Sequence, residues 1–446
     1  MFTGMAEKAA DRHISTSLGL YQRARSSFPS GVSRSTIEKN PGPIYIKSGA
    51  GAYVTDVEDR RYLDLNNNYT TLLHGHAFEP VVRAVCELIG SGSCFANPTE
   101  HEIALAELLI GRIPAVERIR FVNTGTEAAM FAIKAARAFT GRSAIARFEG
   151  AYHGAFDVAE TGQNCEEDAP APGLRKAKVP YRGAPAHLLD DVVVMDFNNA
   201  SDVERIIANN SARLAAVLID PMPSRAGLIA PSREFIAALN ASARKHGVLI
   251  IADEVLNFRQ DFCGASYRYG LQPDIVTLGK IIGGGFPIGA IGGREDVMEM
   301  FSNDRGPPIV SQGGTFSANP VSMVAGLTAM EHMQTADFDR LERMGDQLRA
   351  RLHELAQAAG SDYAISGSAS LFRIHPQKVA PSTYRQSRTA ETQRLTMRRM
   401  TSHFRKHGIL LPFEAAACLS TAIVDEDMES ICNAFSSFLD AQPTTN

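Results

Sequence analysis

Between about Asn97 and Asn319 the chain alternates short, almost wholly apolar runs with amphipathic stretches, and this alternation restricts the folds open to it. The runs IRFVN, AIARFE, DVVVMDF, AAVLID, VLIIADE and IVTLGK have strand length and no polar face. Such strands need cover on both sides, the condition of a mainly parallel sheet flanked by helices. EAAMFAIKAARAF and SREFIAALNASARKHG read as those helices, the second closed by Gly247. An α/β architecture is expected.

The flanks differ in character. Residues 1–65 read as an arm: a helix over roughly Ala6 to Ser27, a turn-rich PSGVSRSTIEKNPGP, and an antiparallel ribbon in GAYVTDVEDRRYLDL. Residues 66–325 form the large domain. Residues 326–446 form a smaller α+β domain, with strands in LFRIHP and ILLP and helices near Glu391–Lys406 and Glu426–Leu439. At 446 residues, 44% of them hydrophobic, the chain is too long for one simple core, which supports this division.

Net charge is −4, with no basic excess to attract nucleic acid or an anionic membrane. Charges in MFTGMAEKAADRHIS stand where a signal peptide would be apolar, and no apolar run approaches membrane-spanning length. A cytoplasmic protein is expected. Six scattered cysteines lack a CxxC pair and read as free thiols. No metal is expected: His74 and His76 have no further ligand at a useful spacing, and His101-Glu102 meets Leu105 where a second histidine would stand.

Chemistry gathers where strands end, the usual ligand edge of such sheets. VLIIA runs into Asp253-Glu254, DIVTL into Gly279-Lys280, and IRFV into Asn123-Thr124-Gly125-Thr126. Lys280 is either a surface lysine or a nucleophile toward carbonyls, made so by an apolar site. Asp274 and Ile281 exclude a phosphate-binding P-loop around it, and Gly283, Gly285 and Gly289 have one residue too many for GxGxxG. Asp253, at the end of a buried strand, needs a partner: a ligand cation, a helix end or a core salt bridge. Thr126 is expected to cap a helix starting at Glu127, whose free N–H groups suit a phosphate.

Together NTGTEA, EGAYHG, IIADEV, TLGKIIGGGFPIGAIGG and QGGTFSANP resemble the successive signatures of fold-type I, class III aminotransferases. The resemblance implies a large domain built on a mainly parallel seven-stranded sheet, and pyridoxal 5′-phosphate as cofactor. It implies that Lys280 forms the Schiff base and moves the proton, and that Asp253 pairs with the pyridine nitrogen. Tyr152 would stack on the ring with His153 beside it, and Gly125 and Thr126 would bind the phosphate. Thr315 would reach the phosphate of a neighbouring subunit, making a homodimer the functional unit. Read without that resemblance, Tyr152 is an ordinary half-buried aromatic and Thr315 a loop hydroxyl.

Two subfamilies compete. PSGVS, NPTEHE and FEAAACLSTAIVDEDMESI resemble glutamate-1-semialdehyde 2,1-aminomutase, with Glu414 at a position associated with a mobile gate. Against it, the chain reads GVSRST and NNNYTTLLHGH, has no tryptophan, and carries no recognisable gating loop after YHG. SRS around Arg34 and the YT at Tyr69 resemble the β-amino acid transaminases, whose matching arginine anchors the substrate carboxylate; the alternative is a solvated arm arginine. Asp220-Pro221 replaces the usual EP, and Arg225 follows nearby, on the substrate or cofactor-hydroxyl side. The reading is thus an aminotransferase acting on an amino acid, with β-amino acids among the candidates, and a keto acid. The aminomutase is the alternative, and an inactive cofactor-binding scaffold a remote one.

Overall fold

The computed structural model describes residues 16–39, 42–167 and 173–442. The arm's helix covers Ser17–Ala24, capped by the Thr16 hydroxyl, which accepts the Gly19 N–H at 3.2 Å. It ends three residues before Ser27, and the expected start at Ala6 lies outside the described residues. Next, β1 (Ile46–Ala50), β2 (Tyr53–Asp56) and β3 (Arg61–Asp64) form an antiparallel ribbon. β3 also pairs, in parallel, with Ile409–Leu410 near the other end of the chain. The arm is therefore built into the C-terminal region.

The large sheet contains β4 (Arg118–Val122), β5 (Ala144–Phe148), β6 (Leu174–Arg175), β7 (Val192–Met195), β8 (Leu214–Ile219), β9 (Leu249–Asp253), β10 (Ile275–Gly279) and β11 (Gly289–Gly293). Their order is β4-β11-β10-β9-β8-β5-β7-β6. β5, β7, β8, β9 and β10 run parallel and are wholly buried, which explains their unbroken apolar runs. The two-residue β6 adds an antiparallel edge.

The glycine-rich stretch after Lys280 holds a strand as well as a tight turn. β11, sequence GAIGG, lies antiparallel between β10 and β4. Its glycines are steric: a Cβ on Gly289 would strike the Thr124 carbonyl, and one on Gly293 the Asp274 carbonyl.

Helices Gly125–Thr140 and Arg233–His246 flank the sheet, each stopped by a left-handed glycine, Gly141 and Gly247. In the C-terminal region β12 (Ala364–Ser366), β13 (Leu371–His375) and β15 (Ala417–Cys418) make a small antiparallel sheet, β14 being Ile409–Leu410. Helices Glu391–Lys406 and Asp425–Asp440 accompany it. One apolar cluster joins Leu278 and Ile282 beside the lysine to Phe372, Leu419 and Phe435 of this region. At roughly 1.5–3 kcal/mol for each large side chain fully buried, that cluster fixes the C-terminal region against the sheet edge bearing the site.

Candidate active site

Adjacent parallel strands end side by side: β8 before Asp220, β9 at Asp253, β10 before Lys280. Lys280 has φ 50°, a left-handed conformation that costs a residue with a Cβ roughly 1–2 kcal/mol. Such strain persists where the surroundings over-determine it, and it collects at functional sites.

Asp253 is 5% exposed and doubly held. Its Oδ1 accepts the Val255 N–H at 3.1 Å and the Thr277 hydroxyl at 3.2 Å. Its Oδ2 lies 2.7 Å from His153 Nδ1. Burial lowers the His153 pKa against the pull of Asp253, so the ring is neutral, donating from Nδ1 to the carboxylate. Its buried Nε2 has no protein partner. Burial likewise lowers the Lys280 pKa; Asp253 and Asp220 oppose this, and the Arg259 cation reinforces it. The result is an amine more readily neutral than an ordinary lysine. Asp220 is pushed well above the usual carboxylate range, first by burial and then by Asp253. Its Oδ1 accepts the Met222 N–H at 3.0 Å and the Asn257 amide.

The loop bearing Tyr152 and His153 lies on the start of the helix after β4. The Ala155 N–H donates to Thr126 Oγ1 at 3.2 Å, and a Cβ on Gly154 would strike Thr126. The helix begins two residues earlier than Thr126 capping would allow: it spans Gly125–Thr140, and Thr124 is the cap, accepting the Glu127 N–H at 3.1 Å. The spacing T-x-x-E at Thr124–Glu127 carried that signal. Gly125 and Thr126 become the first two helical residues, whose N–H groups have no partner within the helix.

A second group lies on the arm and the chain after β3. Arg34 Nη1 donates to Asn68 Oδ1 at 2.9 Å, its guanidinium stands 5.5 Å from the Tyr69 ring centroid, and Thr36 meets the Tyr69 hydroxyl at 2.7 Å. Asn67, Asn68, Tyr69 and Thr70 all have positive φ, 47° to 69°. This left-handed turn is tied down by Asp64, whose Oδ1 accepts the Asn66 and Asn67 N–H groups, and by fully buried Arg259. Arg259 donates to the carbonyls of Thr70 (2.8 Å) and Leu419 (2.7 Å) and to Ser370 Oγ (3.1 Å). Asn68, Thr36, Arg259 and Thr277 escaped the sequence reading because their roles arise from long-range contacts.

Arg225 is exposed, 5.3 Å from the centroid of the half-exposed Tyr152 ring. Glu414 sits apart: it accepts the Thr389 hydroxyl at 2.7 Å, lies 3.6 Å from Arg394, and has φ 50°. No hydrogen bond or ion pair links it to Lys280 or Asp253. Thr315 is exposed in the loop before the helix Pro320–Glu331, beside exposed Phe316. The HGH histidines serve the fold, His74 bonding the Ala329 carbonyl and His76 bonding Asp64, both at 2.8 Å.

The arrangement fits a phosphorylated pyridine aldehyde: a readily neutral amine, a rigidly held carboxylate, a buried nitrogen lacking a partner, and a helix start with free N–H groups. The family model for class III aminotransferases matches residues 35–439. A glutamate-1-semialdehyde 2,1-aminomutase of Methanothermobacter thermautotrophicus is 37% identical over 80% of this chain and 82% of its own length. The crystal structure of an omega-transaminase from Sphaerobacter thermophilus is 43% identical, with TM-score 0.93 over 96% of this chain and 97% of that one. A beta-phenylalanine aminotransferase from Variovorax paradoxus is 31% identical, with TM-score 0.85 over 95% and 93%. The chain thus belongs to the class III aminotransferases, fold-type I enzymes that depend on pyridoxal 5′-phosphate.

Proposed function

We propose that the protein is a transaminase exchanging an amino group between a carboxylate-bearing amino acid, foremost a β-amino acid, and a keto acid. The observation that carries this reading is the Arg34 guanidinium. It is held by an amide and an aromatic ring and forms no ion pair among the described residues. A planar cation held in this way suits a substrate carboxylate, which it can grip with two charge-assisted bonds. The likeness to the omega-transaminase and the beta-phenylalanine aminotransferase supports the same reading.

When bound, pyridoxal 5′-phosphate supplies a conjugated ring into which the charge left at the substrate's amine-bearing carbon spreads. Asp253 would hold a proton at the ring nitrogen, its carboxylate being oriented by His153, Thr277 and the Val255 amide. Lys280 would hold the cofactor through its amine, and the same amine, when free, is placed to act as general base at the substrate's amine-bearing carbon, Cβ in a β-amino acid. The N–H groups of Gly125 and Thr126 would hold the phosphate, and Tyr152 would cover the ring. Arg225, over the Tyr152 ring, is the nearer candidate for contact with the substrate, and Glu414, tied to Thr389, would act only from farther out. Exposed Thr315 would be available to the phosphate site of a second copy, which makes a homodimer the working unit of this proposal.

The aminomutase is the second reading, supported by the 37% identical relative and by the constrained backbone at Glu414. Incubation of β-phenylalanine with the purified holoenzyme, with and without 2-oxoglutarate or pyruvate, separates the two. A transaminase forms the deaminated product only with the keto acid. Conversion of glutamate semialdehyde with no added acceptor, and no exchange from β-amino acids, would establish the mutase.

A further inference from the structure

A single helical turn of the C-terminal region, Tyr384–Ser387, bears on two loops of the site at once. Its Arg385 forks onto Glu149, which is 3% exposed, with Nε to Oε2 at 2.9 Å and Nη2 to Oε1 at 3.0 Å. The ring of Tyr384 occupies the space a side chain on Gly150 would need, and Gly150 has φ 80°. Ser387 does the same to Gly227, which has φ 104°. Gly150 precedes Tyr152 by two residues, and Gly227 follows Arg225 by two. The two loops so pressed meet where the Arg225 guanidinium stands over the Tyr152 ring. Farther along the same strap, Thr389 is tied to Glu414.

The strap is thus the nearest neighbour of both glycines, with Ile229 also close to Gly227, and the largely buried Arg385–Glu149 pair, joined by Arg385 bonds to the Glu166 and Glu167 carbonyls, fixes its height above them. A fork of two charge-assisted bonds to one carboxylate has little rotational freedom, so the strap can be placed to a fraction of an ångström. We propose that Arg385 is a positioning residue for the active site: docked on Glu149, it sets the spacing of Tyr152 and Arg225 and so the room left for the substrate side chain. The inference rests on the reading that Tyr152 faces the cofactor and Arg225 the substrate.

The test uses holoenzyme variants R385Q, E149Q, the double variant and R385K, read by steady-state kinetics, thermal melting and the visible circular dichroism of bound cofactor. R385Q is expected to raise the donor KM about tenfold, the scale of a modest misplacement at a reacting centre, and to alter the cofactor's ellipticity. The double variant should be no worse than the poorer single one, and R385K should restore part of the loss. Additive losses, or a lowered melting temperature with KM and ellipticity unchanged, would overturn the proposal. The dichroism needs no turnover, so it tests Arg385 even if the transaminase reading fails; normal turnover by the wild type with an unaltered R385Q spectrum removes this inference alone.

Discussion

His153 and Asp253, a hundred residues apart in sequence, are joined through a 2.7 Å hydrogen bond from an imidazole whose other nitrogen has no protein partner. The pairing orients a buried carboxylate, and it assigns the two residues unequal weights. D253N removes the charge itself and is expected to lower kcat/KM on the order of 10²–10³-fold, the scale for loss of one preorganised electrostatic group. H153N leaves the charge but loosens its orientation, and a loss nearer tenfold is expected. Steady-state kinetics on both variants checks the ranking; equal losses would contradict it.

On the proposed reading, Arg34 recognises charge rather than shape. R34Q should raise KM for a β-amino acid by about 10- to 100-fold, matching roughly 1.5–3 kcal/mol for a hydrogen bond to a charged group, with kcat little changed. An amine of similar shape without a carboxylate should be unaffected. Parallel kinetics with β-phenylalanine and 1-phenylethylamine measures the difference.

The turn Asn67–Thr70 trades stability for placement. Thr70 is β-branched at φ 69°, and its buried hydroxyl has no partner. T70G relieves left-handed strain of roughly 1–2 kcal/mol and removes an unsatisfied group, against an entropy cost of about 1 kcal/mol. The melting temperature should rise while the donor KM worsens, as Tyr69 and Asn68 lose their fixed frame. Calorimetry with kinetics tests it, and a less stable T70G would contradict it.

His375 makes stability depend on pH. Burial and the neighbouring Arg373 push its pKa down to about 3, so the unfolded chain binds the extra proton first. The contribution is complete above the unfolded value near 6.5 and is lost progressively as pH falls toward 3. At pH 5 the cost is about 2 kcal/mol, roughly 1.5 units at 1.36 kcal/mol each. H375Q should flatten unfolding free energies between pH 7.5 and 5, as followed by denaturant titration.

What could be read from the sequence divides along physical lines. β5, β7, β8, β9 and β10 were legible because burial on both faces demands unbroken apolar runs, and their ends exposed Asp253 and Lys280. The ribbon of β2 and β3 and the helix Glu391–Lys406 were legible from local pattern. β11 was hidden because GAIGG has no strand composition; close backbone approach, not side-chain packing, dictates its residues. The left-handed turn was hidden because Asp64 and Arg259 impose it from elsewhere in the chain. The capping error at Thr126 was local and avoidable, since Thr124 stands three residues before Glu127.

Every step of the account passes through the amine of Lys280. The most direct measurement is borohydride reduction of the holoenzyme followed by peptide mass mapping. The account predicts the reduced cofactor's mass on the peptide containing Lys280, and none bound covalently in K280A. Cofactor fixed to another lysine, or full turnover by K280A, would contradict it.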